Sequence, residues 1–269
     1  MKTTSITNAS PILHSKLSRG VIQYLVLACF ILLSGFSVRM VSAEGISVVK
    51  DDFEDGDFRD DAPVSWVTGT NGRANFECLN GDLVITSTAD LTPAAWVNAQ
   101  GADYQLQDVS ARTQVRLAGQ ADRVLLWAQG QLGNTKWITA ALESNGSVFI
   151  QHRASNLRVQ AQTDFRVAEE DVVLQLDVVG DQATFYVWHP NDSIPDEPQL
   201  TLELPEIQAG DIGAGTQGVS LDTSAIFRYL WISCDPITGT EGDSAPLSLA
   251  RINPRGDAIS FAIQDGDTA

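Results

Sequence analysis

Histidine, cysteine and positive charge are all scarce in this chain. Its 269 residues hold three His, three Cys and 17 Lys plus Arg against 34 Asp plus Glu, a formal net charge of −17. Nucleic acid and anionic membrane surfaces repel so acidic a protein at long range, so neither is an expected partner. Neutral sugars, cations and basic protein surfaces remain, although surface acid also serves simple solubility. Only His152 and His189 lie beyond the N-terminal leader, so a histidine-based catalytic site is thinly supplied. No Gly-x-Ser-x-Gly elbow and no His-Glu-x-x-His motif occurs. Almost no stretch repeats with the period of an amphipathic helix.

The first 43 residues read as a signal peptide. Lys2, Lys16 and Arg19 make a basic start without acid, residues 21–36 are apolar, and Val41-Ser42-Ala43 is a small-residue cleavage site. The expected location is therefore secreted, cell-surface or periplasmic, with no membrane contact after cleavage. A retained anchor is the alternative, since the apolar stretch approaches the length of a span. Cleavage also removes Lys2, Lys16, Arg19 and Arg39, which deepens the acidic excess. Cys78 and Cys234 then remain, too few for a four-ligand zinc site. In an oxidising compartment they are expected to form a disulfide stapling the two ends of the domain, worth about 4–5 kcal/mol on the chain-entropy model.

What the chain does have is short strands and tight turns. Asn80-Gly81, Asn145-Gly146 and Gly180-Asp181 each interrupt an apolar run, and these dipeptides supply the positive φ that hairpins need. Strand patterns cover residues 47–53, 75–79, 82–86, 94–98, 109–117, 123–128, 135–142, 147–152, 157–160, 172–179, 182–188, 200–204, 213–220 and 225–233. In 109–117, Ala111, Thr113, Val115 and Leu117 alternate with Arg112, Gln114 and Arg116, the period-two pattern of a half-buried strand. The reading is all-β, a two-sheet antiparallel β-sandwich over residues 44–234. Residues 235–269 read as a linker and a short C-terminal annex, too small for an independent core.

Taken in order, several segments resemble the concanavalin A-like lectin/glucanase superfamily, including laminin-G-like jelly-roll domains. The start Asp51-Asp52-Phe53-Glu54-Asp55-Gly56 followed by Trp66 is similar to that group's opening strand. Asn80-Gly81-Asp82-Leu83 resembles its first hairpin, and residues 174–188, with the Gly180-Asp181 turn, its central sheet. Gly210-Asp211-Ile212-Gly213 and residues 225–232 resemble its closing strands. The resemblance spans about residues 47–234 and implies a jelly roll that binds carbohydrate, mediates adhesion or hydrolyses glycans.

The residues separate these activities in part. The glycosidase branch would need Glu-x-Asp-x-x-Glu on one strand, and the chain has no such motif. Glu169-Glu170-Asp171 and Glu54-Asp55-Gly56-Asp57 have the wrong spacing and read as solvated turns. Gly213-Ala214-Gly215-Thr216-Gln217-Gly218 fits Gly-x-Gly-x-x-Gly, but a strand follows it where a dinucleotide site needs a helix. It reads as glycine-eased sheet packing. Arg255-Gly256-Asp257 reads as a coincidence of three residues.

No cofactor is expected, with structural calcium as the alternative. The resemblance implies a Ca²⁺ held by Asp51, Asp52 and the Gly81 carbonyl, all hard oxygen ligands. The acid expected in the last strand is replaced by Arg228, whose guanidinium is expected to fill the cation position and pair with Asp51 or Asp52.

For ligand binding the expected residues are Trp127 and Trp137 on a concave face, with Arg123, His152 and Arg153 beside them. Sugar rings stack on indole faces, and Arg or His orients hydroxyls. Trp66, Trp96, Trp188 and Trp231 are expected to be core or rim packing. The sequence thus points to a non-catalytic carbohydrate-binding or adhesion-type module, with a polysaccharide, glycoconjugate or extracellular protein as partner. A divergent glycoside hydrolase or lyase, and a structural protein-interaction domain, are the alternatives.

Overall fold

A computed structural model describes residues 48–60, 63–89, 91–119, 121–130, 136–168, 170–206 and 208–239. The expected signal peptide, most of the annex and Arg255-Gly256-Asp257 lie outside the described residues. Among these residues fifteen strands form two antiparallel sheets, with one short 3-10 turn at Ala102–Tyr104. The first sheet runs β13 (Leu200–Glu203), β12 (Gln182–Trp188), β11 (Val172–Val179), β6 (Val109–Ala118), β15 (Ser224–Ser233), β4 (Asp82–Ser87) and β3 (Ala74–Leu79). Its eighth strand, β1 (Val48–Asp51), lies end to end with β4 against β15, pairing with Leu230–Ser233 while β4 pairs with Ser224–Phe227. The second sheet runs β10 (Leu157–Gln162), β9 (Ser147–His152), β8 (Ile138–Glu143), β7 (Arg123–Gly130), β14 (Asp211–Ser220), β5 (Leu91–Ala99) and β2 (Trp66–Thr70).

Alternation builds the core. Val115 and Leu117 of β6, Leu174 and Leu176 of β11, Val124 and Leu126 of β7, and Ala140 and Leu142 of β8 all join one buried apolar cluster. Val172, Leu174, Leu176 and Val178 face inward, so Gln175 and Asp177 face out, as the period-two reading requires. The β3–β4 turn has φ of 56° at Asn80 and 78° at Gly81, the pair of positive values a two-residue type I′ hairpin demands. At Asn145-Gly146 only the glycine has positive φ, 87°, and its N–H donates to the Glu143 carbonyl, a longer turn than the dipeptide suggests.

The outer face of the eight-stranded sheet is covered in its middle. Residues 235–239, the start of the expected linker, cross it as a strap. Ile237 packs with Tyr229 and Trp231. Beneath the strap Arg112 is 2 % exposed. Its Nη1 and Nη2 donate to the carbonyls of Gly239 and Ile237 at 2.5 Å each, and its Nε donates to Gln175 Oε1 at 2.7 Å. Ser110 Oγ bonds Asp177 Oδ1 at 2.5 Å and accepts the Ile237 N–H at 3.2 Å. Arg112, Gln175, Ser110 and Asp177 are all hydrogen-bonded within this network, which is the condition for burying it at all, whereas the Trp231 Nε1–H beside them has no partner.

Two sequence expectations are corrected. Cys78 and Cys234 are both free thiols. Cys78 stands opposite Leu83, which stands opposite Phe227, and Cys234 follows that residue by seven positions along the chain. That is about 20 Å of strand at ~3.3 Å per residue, against a Cα separation of under about 7 Å for a disulfide. Burial, reinforced by Asp51, Asp55 and Asp57, pushes the Cys78 thiol up to about 11, far from a reactive thiolate. Arg228 pairs with Asp82 and Asp171, not with Asp51 or Asp52. It sits in a register shift between Phe227 and Tyr229, and its guanidinium lies between Asp82 at the start of β4 and Asp171 just before β11.

Candidate functional site on the seven-stranded sheet

Strand pairing arranges the outer face of the second sheet into rungs. One runs unbroken through Arg158, Gln151, Thr139, Trp127, Gly213, Asn98 and Val67, one residue from each of the seven strands. The next runs through Gln160, Phe149, Ala141, Leu125, Gly215, Trp96 and Gly69. The first rung is polar around a half-buried indole. The second is apolar, and its Leu125, Ala141 and Phe149 form a cluster of their own with Trp127 outside the main core.

The glycines explain how the tryptophans lie. Gly213 and Gly215 face outward from β14, and a Cβ on Gly213 would stand 2.6 Å from Trp127 Cζ2 and 2.7 Å from Asn98 Oδ1. The missing side chain lets the Trp127 indole lie across β14, where its Nε1–H donates to Asn98 Oδ1 on β5 at 2.8 Å. Trp96 leans in the same direction along the sheet, from β5 over Gly69 of β2, whose Cβ would fall 2.6 Å from Trp96 Nε1. Two indoles are thus laid down on a glycine floor, with their orientation fixed from below.

Trp127 and Trp137 share this face: Trp127 stands opposite Thr139, and Trp137 lies two residues before it. The Arg153 guanidinium stacks over the Trp137 ring at 4.8 Å, and the Arg153 backbone N–H donates to the Trp137 carbonyl. Arg123 ion-pairs with Glu143 at 3.4 Å and covers Phe149 at 5.4 Å, while Arg158 covers the same ring at 3.9 Å. Four of the five expected residues therefore meet on one surface. His152 does not. It is in phase with Val148 and Ile150, points inward at 1 % exposure, and bonds Ser155 Oγ through Nδ1 at 2.7 Å. Burial pushes its pKa down, so it sits there neutral. Trp96, expected to be packing, takes a place on the face instead.

At the far end β7 is bulged: Asp211 pairs with Gly130 and Gly213 with Trp127. The extra residue includes Gln129, with φ of 54°, whose buried Oε1 has no hydrogen-bond partner. Asp211 is held by Gln105, and burial raises its pKa. Glu143 and Asp211 are the carboxylates at outward strand positions here. They stand opposite Arg123 and Gly130, seven residues apart along β7, about 20 Å at ~3.3 Å per residue. A glycosidase needs its two carboxyl groups within about 5–10 Å.

Solved structures supply the comparison. The exoplasmic/lumenal domain of VIP36 in its Ca²⁺/Man2-bound form matches with a TM-score of 0.51 and 11% identity, covering 72% of this chain and 90% of that one. A prokaryotic β-1,3-1,4-glucanase (lichenase) derived from a mouse hindgut metagenome matches with a TM-score of 0.51 and 14% identity, over 71% of this chain and 100% of that one. A native glycosidic hydrolase gives 0.52 at 11% identity, over 71% and 98%. The fold is a concanavalin A-like jelly roll. No protein-family model and no curated protein matches the sequence. At these identities the jelly roll is what is shared, and its neighbours include both a Ca²⁺/Man2-bound exoplasmic/lumenal domain and two hydrolases, one glycosidic and one a glucanase.

Of the residues expected to hold calcium, Asp51 is buried and Asp52 exposed. Asp51 is 2 % exposed and turned inward, with its two oxygens accepting the Phe53 N–H at 2.9 Å and the Trp66 Nε1–H at 2.7 Å. Burial raises its pKa to about 6, partly offset by those two hydrogen bonds. Asp52 is exposed and accepts the Glu54 N–H. Hydrogen-bond donors, rather than open oxygen lone pairs, converge on the buried carboxylate. Among the described residues no group of three His, Cys, Asp or Glu is placed to hold a metal ion.

Proposed function

We propose that the outer face of the seven-stranded sheet binds a polysaccharide or glycoconjugate without cleaving it, and that the protein does so outside the cytoplasm. The observation that carries the reading is the Trp127 rung. A half-buried indole is seated on Gly213 and pinned by Asn98, and Thr139, Gln151 and Arg158 extend from it as hydrogen-bonding groups. Such a floor offers an apolar ring face for stacking and fixed polar groups for hydroxyls, the composition of a small-ligand site. The wide separation of Glu143 and Asp211 supports binding over hydrolysis. The leader supports export, and among the described residues no helix is long and apolar enough to cross a membrane.

The test is a glycan array read with wild type and Trp127→Ala. The expected result is saturable binding to a defined class of polysaccharide, lost in the variant, with no reducing sugar released. Sugar release that disappears in Glu143→Gln would replace the reading with a hydrolase. Binding to proteins alone would replace it with an interaction domain.

A further inference from the structure

The charges on this sheet face run against those of the whole protein. The chain carries twice as many acids as bases, yet Arg123, Arg153, Arg158 and Lys136 gather on or beside the outer face. Lys136 is paired with Glu206 at 3.5 Å and Arg123 with Glu143 at 3.4 Å. Arg153 and Arg158 have no ion pair among the described residues. Each is exposed and each is laid over an aromatic ring, at 4.8 Å from Trp137 and 3.9 Å from Phe149. Stacking holds a guanidinium in place by its flat face and leaves its edge of N–H donors free. The buried Nε of Arg123 also lacks a hydrogen-bond partner.

Two oriented guanidinium edges flanking an indole platform match a ligand with sugar rings and planar or tetrahedral anionic groups. Arg158 lies three strands from Trp127, about 14 Å at the spacing of neighbouring strands. The site is therefore wide enough to meet charges on successive units of a chain, not on one sugar. The general acidity of the protein acts weakly here, because physiological salt screens charges beyond about 8 Å while a contacting arginine is screened much less. Resting on the reading of this face as a glycan site, we infer that its ligand is an anionic polysaccharide, held through carboxylate or sulfate groups by Arg153 and Arg158 with Trp127 beneath the ring.

Four polymers test it: polygalacturonate, its fully methyl-esterified form, dextran sulfate and dextran, each titrated against the whole protein at low and high salt. Binding to polygalacturonate or dextran sulfate, whichever the anion is, is expected to exceed binding to the matched neutral polymer by about tenfold or more and to weaken in high salt. Arg153→Gln and Arg158→Gln, both at exposed positions, are each expected to lose about tenfold for the anionic polymer alone. Trp127→Ala is expected to lose it altogether. If the esterified polymer or dextran binds as well as its charged counterpart, the inference falls and the glycan site stands. Polyanion binding that survives Trp127→Ala overturns the inference as charge adhesion elsewhere. Binding of none of the four overturns the inference, and the glycan array then decides the reading of the site.

Discussion

The guanidinium of Arg112 lies 5.2 Å from the ring centre of Trp231 and 5.2 Å from that of Trp188, caught between two indoles and roofed by the chain's own strap. Burial depresses its pKa, yet an arginine stays charged, so its environment has to satisfy that charge. The two strap carbonyls and Gln175 supply three acceptors, and Asp177 stands behind Gln175 with its carboxylate bonded to the amide.

Removing that side chain strands all three acceptors and opens a cavity between the indoles. Arg112→Ala is expected to cost about 3–5 kcal/mol, the range for breaking a buried charged network, while Arg112→Met keeps the volume and costs less. Urea denaturation checks both. A chain ending after Cys234 is expected to lose comparable stability, whereas one ending after Gly239 keeps it. Equal stability of the two truncations would show that the strap merely rests on the sheet.

Acidity is expected to stabilise this protein, contrary to the usual carboxylate. The buried Asp51 has its pKa raised from 3.8 to about 6, and burial likewise raises Asp82, Asp177 and Asp211. Between those values the folded state binds a proton that the unfolded state does not, so stability rises as pH falls from about 7 toward 4. His152 opposes this, since its lowered pKa means the unfolded chain protonates first, below about 6.5. Four acids against one histidine give the direction. The melting temperature is expected to be higher at pH 5 than at pH 7.5, and Asp51→Asn is expected to flatten the difference even though it weakens the Trp66 bond. A pH slope unchanged in that variant would assign the effect to the other acids.

The two glycine seats differ in what an added methyl group meets. At Gly69 the three nearest atoms all belong to the Trp96 indole, which is able to swing away. At Gly213 the first atom met is the Val97 backbone carbonyl, then Trp127 and Asn98. Gly69→Ala is therefore expected to change stability by less than about 1 kcal/mol while altering tryptophan fluorescence and glycan affinity. Gly213→Ala is expected to cost about 1–3 kcal/mol through a backbone shift. Denaturation curves followed by intrinsic fluorescence separate the two effects.

Local pattern explains which of these features the sequence made legible. Strands such as Val172–Val179 and Val109–Ala118 show in alternation, and the Asn80-Gly81 turn in its dipeptide. Trp66–Thr70 escaped because its five residues include Gly69 and lead into another turn, so it reads as loop. Trp127 and Trp137 were legible as a pair, but not the seat beneath Trp96, which depends on β2 lying beside β5. Arg112 reads as a solvent-facing residue by its phase; only the strap, distant in sequence, buries it. His152 was open to correction from sequence alone, since it alternates with Val148 and Ile150. The Cys78–Cys234 pairing failed because two strand ends close in topology are remote along the strand axis.

Arg228 bears on the last expectation, on metal. With its guanidinium bonded to Asp82 and within 3.4 Å of Asp171, it supplies a fixed positive charge between the β4 and β11 sides of the eight-stranded sheet. Arg116 approaches Asp171 from the same sheet at 3.6 Å, and Gln114 donates to it at 3.3 Å. Asp51, meanwhile, is buried with both oxygens already accepting N–H donors, so a divalent cation gains little there. A chelator is accordingly expected to leave the melting temperature unchanged, and added Ca²⁺ to leave glycan affinity unchanged. Arg228→Ala, which leaves Asp82 without its partner and Asp171 with Arg116 alone, is expected to lower stability by about 1–3 kcal/mol, recovered in part by high salt. A marked fall in melting temperature with EDTA in the wild type would instead place a structural cation on the acidic turn after β1, and Asp52→Asn would then identify it.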